Sequence, residues 1–345
     1  MIIKIDLIDT VFFRDGRPFG SSDDNWANSF NFPSLNTIYG ALRSAYFSQN
    51  NLDTKIANTS KDPTLNLKIN GVYLVNLNNR VLFPIPQDVY TNKSTDNKNS
   101  RLYLFELLKN SNTSNKLDYI FKPQDEHKNI EKKDGFISKI DFEDYINLAN
   151  NSFNFLDFED FVKSEPKIGI GLNNKTNNVE EGKLYRVDLK RYKNLSILVD
   201  FEGIELKNEG LLRIGGEGKG AFYQELNTFK LIDDYEIKEK YFKIYFLTPA
   251  VFKNGWYPDF LDDKLEGYMN GFKVKLVASS IGKAKYIGGW DIKENRPKSM
   301  FKAIPEGSIF FFEILDGEFE KKEALVDKSY DKIGYGKYIV CRSQL

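Results

Sequence analysis

The sequence predicts an α+β fold made of two related sheet-and-helix units. Three observations carry that prediction. Each half opens on a strand-like segment, MIIKIDLIDTVFF from residue 1 and YFKIYFLTPAVF from residue 241. Residues 34–47, SLNTIYGALRSAYF, instead space their apolar side chains by three and four, the period of a helix face. Aromatic residues make up 14% of the chain, with 28 Phe and 19 Tyr, and ring side chains suit the pleated faces of sheets.

The elements follow in order. Residues 2–13 alternate apolar and polar positions and read as a first strand. Pro33 and Ser34 open the helix, with Ser34 as its N-cap and Leu35, Ile38, Leu42 and Ala45–Tyr46 as its apolar series. GVYLVNLNN and VLFPIP read as a hairpin turning near Asn78, Asn79 and Arg80. From Gln87 to about Asn151 the period is lost. The runs TNKSTDNKNS and NSNTSNK are polar and of low complexity, expected as surface insertions or mobile loops. EPKIGIGLNNKTNNVEEGKLYRVDLKRY then reads as two short strands around a polar tip at 173–178. SILVDFEGIEL and GLLRI are further strands, the second running directly into GGEGKGAF. In the second half, FKVKLVASS and SIFFFEIL are strands, and the polar segment before IGYGKYIV has room for a short helix. The expected division is an N-terminal domain at 1–238 and a C-terminal domain at 239–345. The first carries an insertion at about 86–160 and a thumb-like hairpin at about 165–190.

Composition narrows the chemistry. The chain of 345 residues has 49 basic and 49 acidic side chains, so attraction to nucleic acid depends on how charge is arranged. One cysteine, Cys341, excludes a disulfide framework and a multi-cysteine metal site within the chain. One histidine, His127, excludes paired catalytic histidines. It sits in QDEHKN, inside the polar insertion, where a solvated and non-catalytic role is expected. Asp23-Asp24 and Asp262-Asp263 lack metal-site spacing, and neither a metal nor a cofactor is expected. The N-terminus is broken by Lys4, Asp6 and Asp9, unlike a signal peptide, and no apolar run reaches the length of a membrane span. A cytoplasmic protein without membrane contact is the expectation.

Three motifs remain. In LLRIGGEGKGAF, Gly215, Gly216, Gly218 and Gly220 surround Lys219. Glycines let backbone N–H groups come close to a phosphate and Lys219 adds charge, although a plain hairpin turn uses the same residues. It is no Walker A loop, because Arg213 stands where the first glycine belongs and Gly220 where Ser or Thr belongs. In FFRDGRPFG, Arg14 and Arg17 flank the turn pair Asp15-Gly16. Two guanidinium forks suit a phosphodiester; the alternative is a surface turn in which they pair with Asp15, Asp23 or Asp24. In IGKAKYIGGWDIKENRPKSMFK, Lys283, Lys285, Lys293, Arg296, Lys298 and Lys302 oppose only Asp291 and Glu294. Tyr286 and Trp290 are interleaved, the make-up of a single-stranded nucleic-acid groove or of a charged loop over a packed tryptophan.

Taken in order, FFRDGRPFG, FPSLNTIYGALRSA, KIGIGLNNKTNNVEEGKLY, LLRIGGEGKGA, GGWDIKENRPKSMFKAIPEGSIFFFE and IGYGK resemble one family. It is that of the third subunit of the type III-B CRISPR effector, the Cmr complex, within the RAMP superfamily. The resemblance leaves mainly residues 50–70 and 86–160 uncovered. It implies two tandem ferredoxin-like (RRM-like) domains with the glycine-rich loop at their junction. It implies a non-catalytic subunit of an antiviral ribonucleoprotein that grips the 5′ tag of crRNA. Its partners would be the large polymerase-like subunit and neighbouring RAMP backbone subunits. Carried onto this chain, Arg213 and Lys219 face RNA beside Gly215, Gly216, Gly218 and Gly220. Lys175 stands at the thumb tip, and Arg43 lies near the tag with the N-terminus of its helix. Arg296 and Lys298 match the family pattern and contact either RNA or a subunit. A RAMP-type endoribonuclease is the alternative, but its usual histidine beside the first helix is missing here. A structural adaptor is the third reading.

Overall fold

The structure, a computed structural model, describes residues 1–14, 26–27, 29–92, 101–110, 116–127, 129–172, 179–291 and 296–345. Strand β1 (Ile2–Leu7) leads to helix α1 (Leu35–Gln49), then to β2 (Lys68–Asn76) and β3 (Val81–Pro84). Next come β4 (Gly135–Ser138), α2 (Lys139–Asn147) and the long strands β5 (Val162–Leu172) and β6 (Val179–Tyr192). They are followed by β7 (Leu195–Glu202), β8 (Glu209–Arg213) and β9 (Gly220–Glu225). The last part holds β10 (Tyr241–Phe246), β11 (Glu266–Met269), β12 (Phe272–Ser280), β13 (Ile309–Gly317), α3 (Lys328–Ile333) and β14 (Tyr338–Arg342). The fold class is α+β, with antiparallel sheets and few helices.

The chain forms two compact units from interleaved segments. Unit 1 joins Met1–Val72, Glu159–Thr228 and Tyr286–Phe301; unit 2 joins Tyr73–Phe158, Phe229–Lys285 and Lys302–Leu345.

The strands that lie wholly or largely in unit 1 follow the order β2-β7-β1-β9-β8. Strand β1 pairs antiparallel with both β7 and β9, and alternation sends Ile3 and Ile5 into the core. Helix α1 is capped as expected: the Ser34 hydroxyl accepts from the Thr37 N–H. Its buried face is Leu35, Ile38, Ala41, Leu42, Ala45 and Phe47. At its far end Gln49 donates to the hydroxyl of the buried Tyr223 on β9, tying helix to sheet. The β5–β6 hairpin rises from this unit on strands of 11 and 14 residues, longer than the short strands expected.

In unit 2 the order is β11-β12-β13-β10-β14, again antiparallel between the pairs described. Both units therefore follow one plan. Taking β1, β2, β7 and β9, or β10, β12, β13 and β14, the second strand lies beside the third, the third beside the first, and the first beside the fourth.

Around its polar runs the insertion, where no period was legible, is built of short strands and one helix. Strand Val89–Asn92 pairs with Leu102–Leu104 and Ile130–Glu131, and Leu102–Leu104 pairs with Ser152–Phe153. Phe83 and Phe142 stack with centroids 4.0 Å apart, and Tyr145 and Phe153 are buried with them. The segment is fastened to the sheet by a buried ion pair, Lys243 Nζ to Asp88 Oδ2 at 2.9 Å. Tyr145 donates to the other Asp88 oxygen at 2.7 Å, and its ring lies 3.9 Å under the Lys243 ammonium. His127 is likewise packed rather than solvated: Nδ1 lies 2.8 Å from the Tyr90 hydroxyl, and its ring meets Tyr103 edge-on. The Tyr90 oxygen also accepts from the Gln124 N–H at 3.0 Å. Residues 93–100 and 111–115, most of the two polar runs, lie outside the described residues.

Candidate nucleic-acid interface

Alternation on β8 buries Leu212 and leaves Leu211 and Arg213 exposed; beyond its end, Ile214 is buried. The chain then reverses through the glycines, and the Ile214 N–H donates to the Lys219 carbonyl at 2.9 Å. Gly215 has φ +76°, and a Cβ there would come within 2.7 Å of the Phe12 carbonyl oxygen. That oxygen accepts from the Gly216 N–H at 2.8 Å. These two glycines are explained by the chain that lies against them. Gly218 is different. It has φ +63° with nothing within 4 Å of its Cβ position, so its left-handed backbone borders open space. A Cβ on Gly220 would make ordinary contact with Ile8 at 3.7 Å.

The Phe12 segment is also bonded to the base of the long hairpin. Val11 and Lys190 exchange two backbone hydrogen bonds, at 2.9 and 2.8 Å. Phe12 is buried with Val187 and Leu189. The Lys190 side chain is buried and donates to Ser164 and Asp188, both at 2.6 Å. Its neighbour Arg191 is bonded to Glu165 and, at 3.2 Å, to Asp9. The other Asp9 oxygen stands 3.9 Å from Lys219 Nζ. Glycine turn, residues 9–14 and hairpin base thus form one connected surface of unit 1. The Thr10 N–H bond, then the Lys219 and Arg191 charges, outweigh desolvation and hold the Asp9 carboxyl below its ordinary value. The Arg191 hydrogen bond does the same for Glu165.

The expected site residues fall into five groups. Arg213, Gly215, Gly216, Gly218, Lys219 and Gly220 belong to this surface, and Arg14, exposed and bridged by its backbone to Ser29, extends from it. Arg296 and Lys298 are exposed in unit 1, where the Lys298 N–H is bonded to the Gly289 carbonyl. Arg43 is committed elsewhere: it donates to Thr64 at 2.8 Å and to the buried Asp62 carboxylate at 2.5 Å. Lys283 and Lys285 belong to unit 2, with Lys283 exposed and Lys285 paired to Glu306. Arg17 and Lys175 lie outside the described residues.

Sequence reasoning passed over Asp9 and Arg191. The pointer to Arg191 was strand alternation: adjacent Lys190 and Arg191 must face opposite sides, so only one of them is free to be buried. It also passed over a repeat. Gly216-Glu217-Gly218-Lys219 precedes β9 and Gly334-Tyr335-Gly336-Lys337 precedes β14, the fourth strand of each plan. The second turn is closed: a Cβ on Gly336 would meet Val326 at 2.6 Å, and Lys337 is paired to Asp331 at 2.7 Å. Of the two, the turn of unit 1 has the open glycine.

Among the described residues, no group of three His, Cys, Asp or Glu is placed to hold a metal ion. No helix among them is long and apolar enough to cross a membrane. The family model of the CRISPR-associated protein Cas_Cmr3 matches residues 3–342. The CRISPR system CMR subunit Cmr3 of Saccharolobus solfataricus is 30% identical over 185 residues, covering 50% of this chain and 53% of that protein. The match thus spans about half the length of this relative. Among solved structures, a chain of the type III-B Cmr-beta complex bound to cognate target RNA aligns with a TM-score of 0.56 and 17% identity. The alignment covers 90% of this chain and 86% of that one. A chain of the same complex with target RNA and AMPPnP aligns at 0.52 with 18% identity and the same coverage. The chain belongs to the Cas_Cmr3 family of CRISPR-associated proteins.

Proposed function

We propose that this chain is a non-catalytic RNA-binding subunit of a type III-B CRISPR ribonucleoprotein, gripping the 5′ tag of crRNA and docking the large polymerase-like subunit. The observation that carries the reading is the open glycine at position 218 beside Lys219, on a turn bonded through Phe12 to the hairpin base. Such a turn lets an RNA backbone approach closely, while arginines and aromatic rings hold unpaired nucleotides without base pairing. Arg14 and Arg213 extend the cationic edge. Sequence choice is then left to the guide itself, as in other RNA-guided complexes. The common strand order of the two units supports a ferredoxin-like reading of each. Neighbouring RAMP subunits would continue the backbone of the complex, which we place in the cytoplasm. The endoribonuclease reading loses support, because His127 is engaged by Tyr90 and Tyr103 within unit 2. The test is photocrosslinking in the assembled complex from crRNA carrying a reactive base in its tag. Crosslinked peptides containing residues 213–220 are expected. Crosslinks confined to other subunits would overturn the assignment.

A further inference from the structure

Asp9 stands between two cations, Arg191 at the hairpin base and Lys219 in the glycine turn. One of its oxygens is 3.2 Å from the Arg191 guanidinium and the other 3.9 Å from the Lys219 ammonium. Its side chain is 59% exposed, against 22% for Lys219. Nothing buries the carboxylate in place. Arg191 has a second acid at hand: Glu165 Oε2 accepts from it at 2.9 Å, so the guanidinium stays oriented if Asp9 moves away. A carboxylate and a phosphate offer these donors the same thing, a pair of anionic oxygens. Gly218, open on its own side, leaves room beside Lys219 for the larger group.

We propose that Asp9 is a built-in competitor for RNA phosphate at Lys219 and Arg191, and that this competition keeps the chain from holding RNA by its backbone alone. The inference rests on the RNA-binding reading above. Any RNA that uses these two cations must displace the carboxylate. A strand with only backbone contacts then falls below useful affinity, while a tagged strand offsets the same cost through its other contacts. Arg191 becomes a phosphate ligand that neither the motifs nor the family pattern singled out.

The test uses the full chain and a homopolymeric uridine RNA, titrated across a salt series, with wild type, Asp9→Asn and Asp9→Glu. Asparagine keeps an acceptor for the Thr10 N–H, so the local turn is preserved. Asp9→Asn should bind the RNA roughly fivefold more tightly, the factor set by one ion pair near 4 Å in water. Its log–log salt slope should steepen by about 0.7 for each additional phosphate neutralised. Asp9→Glu should behave like wild type. In a Lys219→Met background the improvement from Asp9→Asn should shrink, which a merely structural role would not produce. Unchanged or weaker binding by Asp9→Asn, with wild type binding measurably, overturns the competition. No binding by any variant, with crRNA also absent from the assembled subunit, overturns the RNA-binding reading and this inference with it.

Discussion

Two glycines of one turn should fail in different ways when given a side chain. Gly215 combines φ +76° with ψ −168°, a region nearly confined to glycine that costs other residues about 1–3 kcal/mol. An added Cβ would also press to 2.7 Å on the Phe12 carbonyl oxygen. That carbonyl accepts the Gly216 N–H, a bond whose loss costs about 1 kcal/mol more. Gly215→Ala should therefore destabilise unit 1 by about 2–4 kcal/mol. At about 2–4 °C per kcal/mol for a unit of this size, melting falls by roughly 4–16 °C. Gly218 has φ +63° and open space at its Cβ. Asparagine tolerates that conformation, so Gly218→Asn should cost under about 1 kcal/mol. Its side chain nonetheless fills the approach that a phosphate would take. Both variants are made in the tagged chain, melted by calorimetry, and assayed for crRNA retained per complex. Gly215→Ala is expected to melt early. Gly218→Asn is expected to melt nearly like wild type and to lose crRNA. Full crRNA retention by Gly218→Asn would refute the reasoning, since the open glycine would then border no ligand.

Other perturbations probe the scaffold and the alternatives. Lys243→Met strands the buried Asp88 carboxylate and should cost about 3–5 kcal/mol, whereas adding Asp88→Asn should recover much of the loss; denaturant melts of the single and double variants decide it. Burial alone would raise the Asp62 carboxyl, but bonds from Thr64 and the Asn58 N–H, together with Arg43, hold it below its ordinary value. Its stabilisation should thus be present at neutral pH and fade as pH falls below about 4, so wild type and Asp62→Asn should converge in acid unfolding curves. His127→Ala should lower stability by about 1 kcal/mol through the lost Tyr90 bond and leave RNA processing unchanged; a large loss of processing would revive the nuclease reading.

Much of unit 1 was legible because its elements are long enough to show a period. Helix α1 with its Ser34 cap and the glycine turn after β8 stand where helical spacing and composition place them, while strand β1 starts where alternation does but ends at Leu7, short of the expected residue 13. The insertion was illegible for the opposite reason. Its strands are two to four residues long, from Ser152–Phe153 to Val89–Asn92, too short to show a period. The polar runs between them dominated the reading. Arg43 shows a different limit. Its place on α1 was foreseeable, but its donors are taken by Asp62 and Thr64, residues about twenty positions away in an unpatterned stretch. Asp9 and Arg191 meet only because the hairpin returns to the first strand's extension, a contact across 182 residues that spacing cannot reveal.

The most direct measurement is to sequence the 5′ ends of RNA that co-purifies with the tagged chain from its own host. Tag gripping predicts strands with one shared 5′ tag and varied sequence beyond it, recovered with wild type and depleted with Lys219→Glu. Recovery of RNA with unrelated 5′ ends, or equal recovery of the tag by Lys219→Glu, would contradict it.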